Sequence, residues 1–209
     1  MHDTIERRAR MVESQIVARG IHDAAVLRAM RSVPRDVFTP YQFAGRAYGD
    51  SALPIEEGQT ISQPYIVALM AETLELKETD RVLEVGVGSG YAAAVLSRIA
   101  GEVYAIDRHP TLVQLARQRF IELGYENVWV KTGDGAHGWP EHAPFDAISV
   151  AAAATSIPQS LLDQLAIGGR LVIPIGFPGA VQKLVLITRS QEHHYDREEL
   201  ADVRFVPLV

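Results

Sequence analysis

The residues with the clearest chemical potential form a glycine-rich loop at positions 82–90, VLEVGVGSG, between a predicted strand and a predicted helix. Open parallel sheets bind ligands beyond the carboxyl ends of their strands, where such loops lie. The spacing is G-x-G-x-G, and Tyr91 occupies the place of the third glycine of the dinucleotide fingerprint. The Glu84 carboxylate would also repel a pyrophosphate. Both features disfavour a nicotinamide dinucleotide and favour a ligand that carries ammonium and sulfonium charges.

Two further acidic residues follow the next two predicted strands. Asp107 follows the second strand, where a carboxylate can accept hydrogen bonds from ribose hydroxyls. Asp134 follows the third, in the sequence TGDG, where a side chain or backbone can meet an adenine ring. Each also has a local interpretation, Asp107 as a helix cap and Asp134 as a turn residue. Acids at three consecutive strand ends favour one shared ligand, and the layout resembles the class I S-adenosylmethionine-dependent methyltransferases.

A third candidate segment, GQTISQPY at positions 58–65, precedes a predicted helix. Ser62 is a good N-cap residue and Pro64 suits the first helical turn, so the segment has an adequate structural explanation. A helix N-terminus also presents free N–H donors to an anionic group. Capping and function can therefore coexist here.

The predicted elements explain how these segments meet. From Asp80 onward, apolar runs alternate with helical stretches, which is typical of βαβ units and a mainly parallel sheet. The first third is helical, with Gly20 as a stop and Asp23 as an N-cap. Strands are predicted at 81–85, 103–106, 128–130, 145–150, 170–175, 184–188 and 203–208, and helices at 24–33, 91–100, 110–123 and 157–165.

This pattern predicts an α/β fold with a doubly wound, mainly parallel sheet, an antiparallel C-terminal strand and an N-terminal helical extension. The resemblance noted above implies that this fold is the Rossmann-like fold of the class I methyltransferases. Residues 1–78 are predicted to form the extension and the active-site segment. Residues 79–209 are predicted to form the cofactor-binding domain with the C-terminal strands, and the two to pack as one compact unit.

Composition narrows the function classes. The 209 residues, 47% of them apolar, suit one domain with a sizeable core. The net charge of −6 argues against sequence-independent binding of nucleic acid. The absence of cysteine excludes thiolate nucleophiles and thiolate zinc sites. The histidines lack metal-ligand spacing. Residues 191–199, which include two of them, are predicted to be a solvated loop. Without a long apolar stretch, we expect a cytoplasmic monomer with no membrane contact.

A more specific resemblance covers nearly the full chain, which is similar to the protein-L-isoaspartate (D-aspartate) O-methyltransferase family. The stretch QTISQP beside a methyltransferase loop is its most specific part. Other matching stretches lie at residues 10–12, 20–21, 33–35, 54–55, 133–135, 138–140, 145–148, 151–153, 168–174 and 204–208.

The resemblance implies S-adenosylmethionine as cofactor, S-adenosylhomocysteine as product, and isoaspartyl-containing proteins and peptides as partners. It implies no metal, and Ser62 as the catalytic residue. The implied cofactor-binding residues are Thr60, Ile61, Gln63, Glu84, Gly86, Gly88, Asp107, Asp134 and Gly135, and the implied substrate-binding residues are Ser62, Ala151, Ala152, Phe205 and Val206.

The reaction implied is methylation of the α-carboxylate of L-isoaspartyl residues, with D-aspartyl residues as a further candidate acceptor. A carboxyl group with a pKa near ~4 is already ionised at pH 7, so no strong general base is required. Alignment of the reacting atoms can contribute roughly 7–11 kcal/mol, which gives Ser62 a positioning role. The methyl ester then collapses to a succinimide without the enzyme, and part of it hydrolyses to normal aspartate, which is protein repair.

Two departures from the family pattern keep alternatives open. Asp107 stands where the family usually has glutamate, and Glu56-Glu57 where a glycine and an aromatic residue or histidine are common. A small-molecule methyltransferase on the same scaffold is one alternative, because fold does not fix substrate. A module that binds the cofactor without catalysis is another, and a nicotinamide dehydrogenase is the least favoured.

Overall fold

The strands of the protein are defined by a computed structural model that describes residues 2–208. In chain order they are β1 Leu53–Pro54, β2 Thr60–Ile61, β3 Arg81–Val85, β4 Glu102–Asp107, β5 Val128–Thr132, β6 Phe145–Val150, β7 Leu165–Ile175, β8 Gln182–Gln191 and β9 His194–Val203. Strands β3 to β9 form one sheet in the order β5-β4-β3-β6-β7-β8-β9, and β1 and β2 form a separate small hairpin. The pairs from β5 to β7 are parallel, and β8 is antiparallel to both neighbours. The predicted fold class is confirmed.

The helices alternate with these strands. They are α1 His2–Met11, α2 Ala24–Ser32, α3 Pro64–Thr73, α4 Tyr91–Leu96, α5 Pro110–Glu122 and α6 Gln159–Asp163, with a π-helical turn Val12–Ile16 and short 3₁₀ segments at Val17–Arg19, Arg35–Phe38, Tyr41–Arg46, Glu56–Gly58, Gly135–His137 and Pro140–His142. Within residues 2–208, none of the helices is both long enough and apolar enough to cross a membrane.

The predicted helix signals in the first third are confirmed. Gly20 follows the 3₁₀ turn at the end of the first helical stretch with a φ of 95°, a conformation that glycine adopts without strain. Asp23 caps α2, because its carboxylate accepts a hydrogen bond from the Val26 N–H at 2.8 Å. The predicted helices at 91–100 and 157–165 are real but shorter than expected.

The start of α3 differs from the prediction. Gln63, not Ser62, occupies the N-cap position, and no side chain caps this helix. Pro64 is the first helical residue and has no N–H to satisfy, so the need for a cap is reduced. The prediction of Ser62 as N-cap is therefore wrong.

The C-terminal region contains the largest error. The last strand was expected at 203–208 and a loop at 191–199, but β9 covers His194–Val203 and pairs with β8 in an antiparallel hairpin. This strand lies at the sheet edge and its charged residues from Asp196 to Glu199 are all exposed, so it shows no apolar alternation. Charged side chains on an edge strand discourage pairing with other chains.

The core consists of two clusters of buried side chains on opposite faces of the sheet. Neighbouring strand residues alternate between them: Val82 belongs to one cluster and Leu83 to the other. The first cluster also contains Met11 from the N-terminal stretch and Phe120 from α5. The N-terminal helices thus share one core with the sheet, while a domain boundary at residues 78 and 79 stays a prediction.

Candidate active site

A cavity of about 330 Å³ lies where β3, β4 and β6 end. Predicted site residues from six separate segments line it: Thr60, Ile61 and Ser62; Glu84, Gly86 and Gly88; Asp107; Gly135; Ala151 and Ala152; and Val206. The volume lies within the range of small-molecule sites. The fold therefore brings most of the predicted residues to one place.

The glycine loop is held to the end of β4 by backbone hydrogen bonds. The N–H groups of Gly86 and Val87 donate to the Ile106 carbonyl at 2.8 and 3.3 Å. Gly86, Gly88 and Gly90 have φ values of 91°, 50° and 92°, in the left-handed region that favours glycine. The repeated left-handed conformation explains why the loop needs these glycines.

Asp107 supports this loop from the end of β4. One carboxylate oxygen accepts the Gly88 N–H at 2.9 Å, and the other accepts the His109 N–H at 2.9 Å. His109, not Asp107, is the N-cap residue of α5. A carboxylate has about four acceptor positions, so Asp107 can still accept hydrogen bonds from a ligand in the cavity that it lines.

Glu84 is the most unusual group in the cavity wall. Its side chain is fully buried, and neither carboxylate oxygen has a hydrogen-bond partner among residues 2–208. Burial raises the pKa of the Glu84 carboxyl well above its usual range, and the negative charge of Asp107 raises this pKa further. An unpaired buried carboxylate is costly unless a cation or a donor pairs with it. The two free acceptor oxygens of Glu84 therefore fit a ligand with a positively charged ammonium group.

Asp134 is placed differently from the other predicted acids. It does not belong to the cavity wall; its carboxylate accepts the Ala136 N–H at 2.8 Å and lies 3.3 Å from His137 Nδ1. The next residue, Gly135, does line the cavity, and a Cβ there would overlap the Val85 side chain. The backbone after β5 thus forms the wall, while the Asp134 side chain shapes the turn.

A second cavity of about 380 Å³ adjoins the first. Thr60 and Ser62 line both cavities, whereas Gln63 and Phe205 line only the second. The hairpin of β1 and β2 carries Thr60, which pairs with Pro54. Because Ser62 does not cap α3, its hydroxyl is not used by the helix. The segment that contains Thr60 and Ser62 therefore lies between the two cavities.

Four of the substrate-binding residues predicted from the resemblance lie on two segments that are hydrogen-bonded to each other. The Ala153 N–H donates to the Val206 carbonyl at 2.8 Å, and the Leu208 N–H donates to the Ala153 carbonyl at 2.7 Å. The segment after β9 is thus fixed beside the segment after β6. Ala151, Ala152 and Val206 face the first cavity, and Phe205 the second.

Two buried residues near the second cavity had no predicted role. Gln182 is almost fully buried and its side chain bonds both backbone groups of Phe205, accepting from the N–H at 2.7 Å and donating to the carbonyl at 3.3 Å. Arg35 donates to the Ser62 carbonyl at 2.9 Å. Arg35 lies in one of the stretches that carried the resemblance, but no sequence signal marked Gln182.

His142 and His193 lie in separate parts of the fold and outside the two cavities. His193 lies exposed in the turn between β8 and β9, and the His142 ring stacks on Tyr104 with ring centres 4.2 Å apart. In the described part of the chain, no three His, Asp or Glu side chains are grouped so that they could hold a metal ion.

Comparisons with known proteins point to one family. The family described as protein-L-isoaspartate(D-aspartate) O-methyltransferase matches residues 6–209. A protein-L-isoaspartate O-methyltransferase 2 of Pelobacter propionicus is 57% identical over 203 residues, covering 97% of this chain and 90% of the relative. A protein-L-isoaspartate O-methyltransferase of Methylorubrum extorquens is 57% identical over 207 residues, covering 99% and 90%.

Solved structures agree in fold over nearly the whole chain. A protein-L-isoaspartate O-methyltransferase structure superposes with a TM-score of 0.85 at 30% identity; the match covers 96% of this chain and 65% of the longer solved chain. A Plasmodium falciparum protein of the same description, in complex with S-adenosyl-L-homocysteine, gives a TM-score of 0.82 at 28% identity and covers 97% and 98%.

Proposed function

The chain belongs to the protein-L-isoaspartate(D-aspartate) O-methyltransferase family. We propose that its two adjoining cavities together form the active site, in which the α-carboxylate of isoaspartyl residues in damaged proteins and peptides is methylated. The enzyme is an S-adenosylmethionine-dependent methyltransferase that acts in protein repair. The observation that supports this assignment to these cavities is their shared wall. Ser62 and Thr60 border one cavity with an unpaired buried carboxylate and a second that opens toward Phe205.

The first cavity is the proposed cofactor site. Glu84 would pair with the ammonium group, the Asp107 carboxylate with the ribose hydroxyls, and the backbone at Gly135 with the adenine. When bound, S-adenosylmethionine supplies a methyl group on a positively charged sulfur. The proposed cofactor shell also includes Thr60, Ile61, Gly86 and Gly88, which line this cavity, together with Gln63 and Asp134, which do not.

The second cavity is the proposed acceptor site. Ser62 would orient the acceptor carboxylate through its hydroxyl, and Phe205 would contact the peptide. The proposed substrate-binding residues also include Ala151, Ala152 and Val206, which line the first cavity and not the second. An ionised carboxylate is already nucleophilic, so these residues need only align it and exclude water. Moving opposite charges together is favoured in a dry site, which the buried walls Ile61 and Glu84 help to provide.

The proposal also covers the location, oligomeric state and partners of the protein. We propose that the protein works as a cytoplasmic monomer on isoaspartyl proteins and peptides, with D-aspartyl residues as a further candidate acceptor, and without nucleic acid or membrane. The net charge of −6 supports the absence of a nucleic-acid partner, because phosphate neutralisation requires a basic face.

Methyl transfer to a matched peptide pair, one L-isoaspartyl and one L-aspartyl, tests the proposal. We expect base-labile methylation of the isoaspartyl peptide alone. Ser62→Ala is expected to lower turnover by about 10- to 100-fold, the cost of a misaligned acceptor, while S-adenosylhomocysteine still binds. Unchanged turnover would remove Ser62 from the site. Cofactor binding without transfer to either peptide would indicate a small-molecule acceptor or a non-catalytic module.

A further inference from the structure

Arg35 is a buried cation behind the proposed acceptor site. Its side chain is fully buried at the start of the 3₁₀ segment Arg35–Phe38. The guanidinium donates hydrogen bonds to three backbone carbonyls that are distant in sequence: Ala47, Ser51 at 3.3 Å and Ser62 at 2.9 Å. Arg35 therefore joins the segment that carries Ser62 to the loop that precedes β1.

The guanidinium has no anionic partner. Across residues 2–208, its hydrogen bonds go only to carbonyls and its Nε has no partner. The Tyr91 ring is centred 5.6 Å from the guanidinium carbon. Burial lowers the pKa of Arg35 from its usual value. A buried charge without a counter-ion is costly. The hydrogen bonds to the three carbonyls offset part of that cost.

The positions of the three carbonyls suggest a functional reason for an arginine at position 35. Ser51 and Ser62 both line the second cavity, and both of their carbonyls accept hydrogen bonds from the same Arg35 nitrogen, Nη2. The planar fork of an arginine can hold several acceptors at fixed relative positions, which a lysine ammonium does less well. Arg35 thus links two segments that line the cavity, and it does not itself line that cavity.

We propose that Arg35 is a positioning residue for the acceptor: by fixing the Ser62 carbonyl against the 47–51 loop, it sets the place where the isoaspartyl carboxylate is held. This inference rests on the proposed function of the second cavity. It assigns Arg35 no contact with the cofactor and no proton transfer. Loss of the three hydrogen bonds would leave the cofactor cavity formed and the acceptor side misaligned.

Arg189 provides a matched control. It too has an unpartnered Nε, and it donates to two backbone carbonyls, those of Leu165 and of Glu192, the latter at 2.9 Å. It lies on β8 and outside both cavities. Substitution of Arg189 therefore removes a similar arginine–carbonyl contact where it cannot affect the acceptor.

The experiment compares Arg35→Lys and Arg35→Gln with Arg189→Lys and Arg189→Gln. Active sites are counted by calorimetric titration with S-adenosylhomocysteine, and kinetics are measured at 15 °C with saturating S-adenosylmethionine, which stabilises a marginal fold. For the Arg35 variants, we expect kcat/KM for the isoaspartyl peptide to fall about 10- to 100-fold per active site, as for a displacement of about 1 Å. Their S-adenosylhomocysteine Kd should change less than threefold, and the Arg189 variants should keep wild-type kinetics.

Three results would overturn the proposal: wild-type kcat/KM per active site in the Arg35 variants, a matching loss in the Arg189 variants, or a loss of S-adenosylhomocysteine affinity as large as the loss of kcat/KM. A variant that binds no cofactor would also count against it, because the cofactor cavity would then depend on Arg35. Failure of the wild-type enzyme to methylate the isoaspartyl peptide would instead refute the proposed function.

Discussion

Glu84→Gln tests the assignment of the first cavity most directly, because it removes a charge with almost no change in shape. In the structure both carboxylate oxygens of Glu84 are buried and unpartnered on the cavity wall. A carboxylate and an ammonium about 4 Å apart attract by about 4 kcal/mol at an effective dielectric constant of about 20. Desolvation offsets part of this, and hydrogen bonds to charged groups contribute ~1.5–3 kcal/mol net. We expect S-adenosylhomocysteine binding to weaken by about 2 kcal/mol, or about 30-fold in Kd.

The same substitution should stabilise the protein without ligand. Burial raises the pKa of Glu84, so the folded protein holds this proton to a higher pH than the unfolded chain, whose glutamate pKa is near ~4.3. The folded state therefore loses stability as pH rises from about 4.3 through the raised folded-state pKa. Glutamine cannot ionise, so the ligand-free variant should have a higher Tm than the wild type at pH 7.5, with a smaller difference at pH 5.

Calorimetry and thermal unfolding measure both effects. Wild-type affinity for S-adenosylhomocysteine should rise between pH 5.5 and 7.5, below the ~7.7 pKa of an α-amino group. Binding enthalpies in buffers of different ionisation enthalpy should show proton release, which the variant lacks. Glu198→Gln, at an exposed carboxylate on β9, is the control and should change neither quantity. A variant Kd within threefold of wild type, or a lower Tm without ligand, would refute the pairing of Glu84 with the ligand.

Two further substitutions separate the cofactor side from the acceptor side. Asp107→Asn places an amide donor against the N–H of Gly88 or of His109. Calorimetry should show S-adenosylhomocysteine binding weakened about 10-fold, which corresponds to a loss of about 1.4 kcal/mol. An unchanged Kd would contradict the role of Asp107. Gln182→Leu removes both hydrogen bonds to the Phe205 backbone, a net loss of about 1 kcal/mol or slightly more. Steady-state kinetics should therefore show a KM for the isoaspartyl peptide that is raised about 5- to 10-fold, and the S-adenosylhomocysteine Kd should not change. An unchanged KM would show that the Phe205 segment does not hold the peptide.

The sequence predicted the parts of the site that depend on local pattern. The glycine loop and Asp107 follow short apolar strands, and parallel pairing brings strand ends to one edge of the sheet. The edge strand β9 was missed because its exposed charges hide any alternation. Arg35 and Gln182 were assigned no role because each acts on a backbone group more than 20 residues away, at Ser62 and Phe205. Only the folded chain shows such contacts.

The distribution of charge along the two cavities matches the charges of the reactants. The proposed cofactor side has the buried carboxylates of Glu84 and Asp107, and the proposed acceptor side has the buried guanidinium of Arg35 behind Ser62. Methylation of a carboxylate by a sulfonium consumes one positive and one negative charge, so both attractions weaken as the reaction proceeds. Fixed charges of opposite sign behind each reactant would thus favour loading more than they favour the transition state. Rate enhancement must then come from alignment and exclusion of water, which is why the rigid connection between Ser62 and the 47–51 loop matters more than the charge of Arg35 itself.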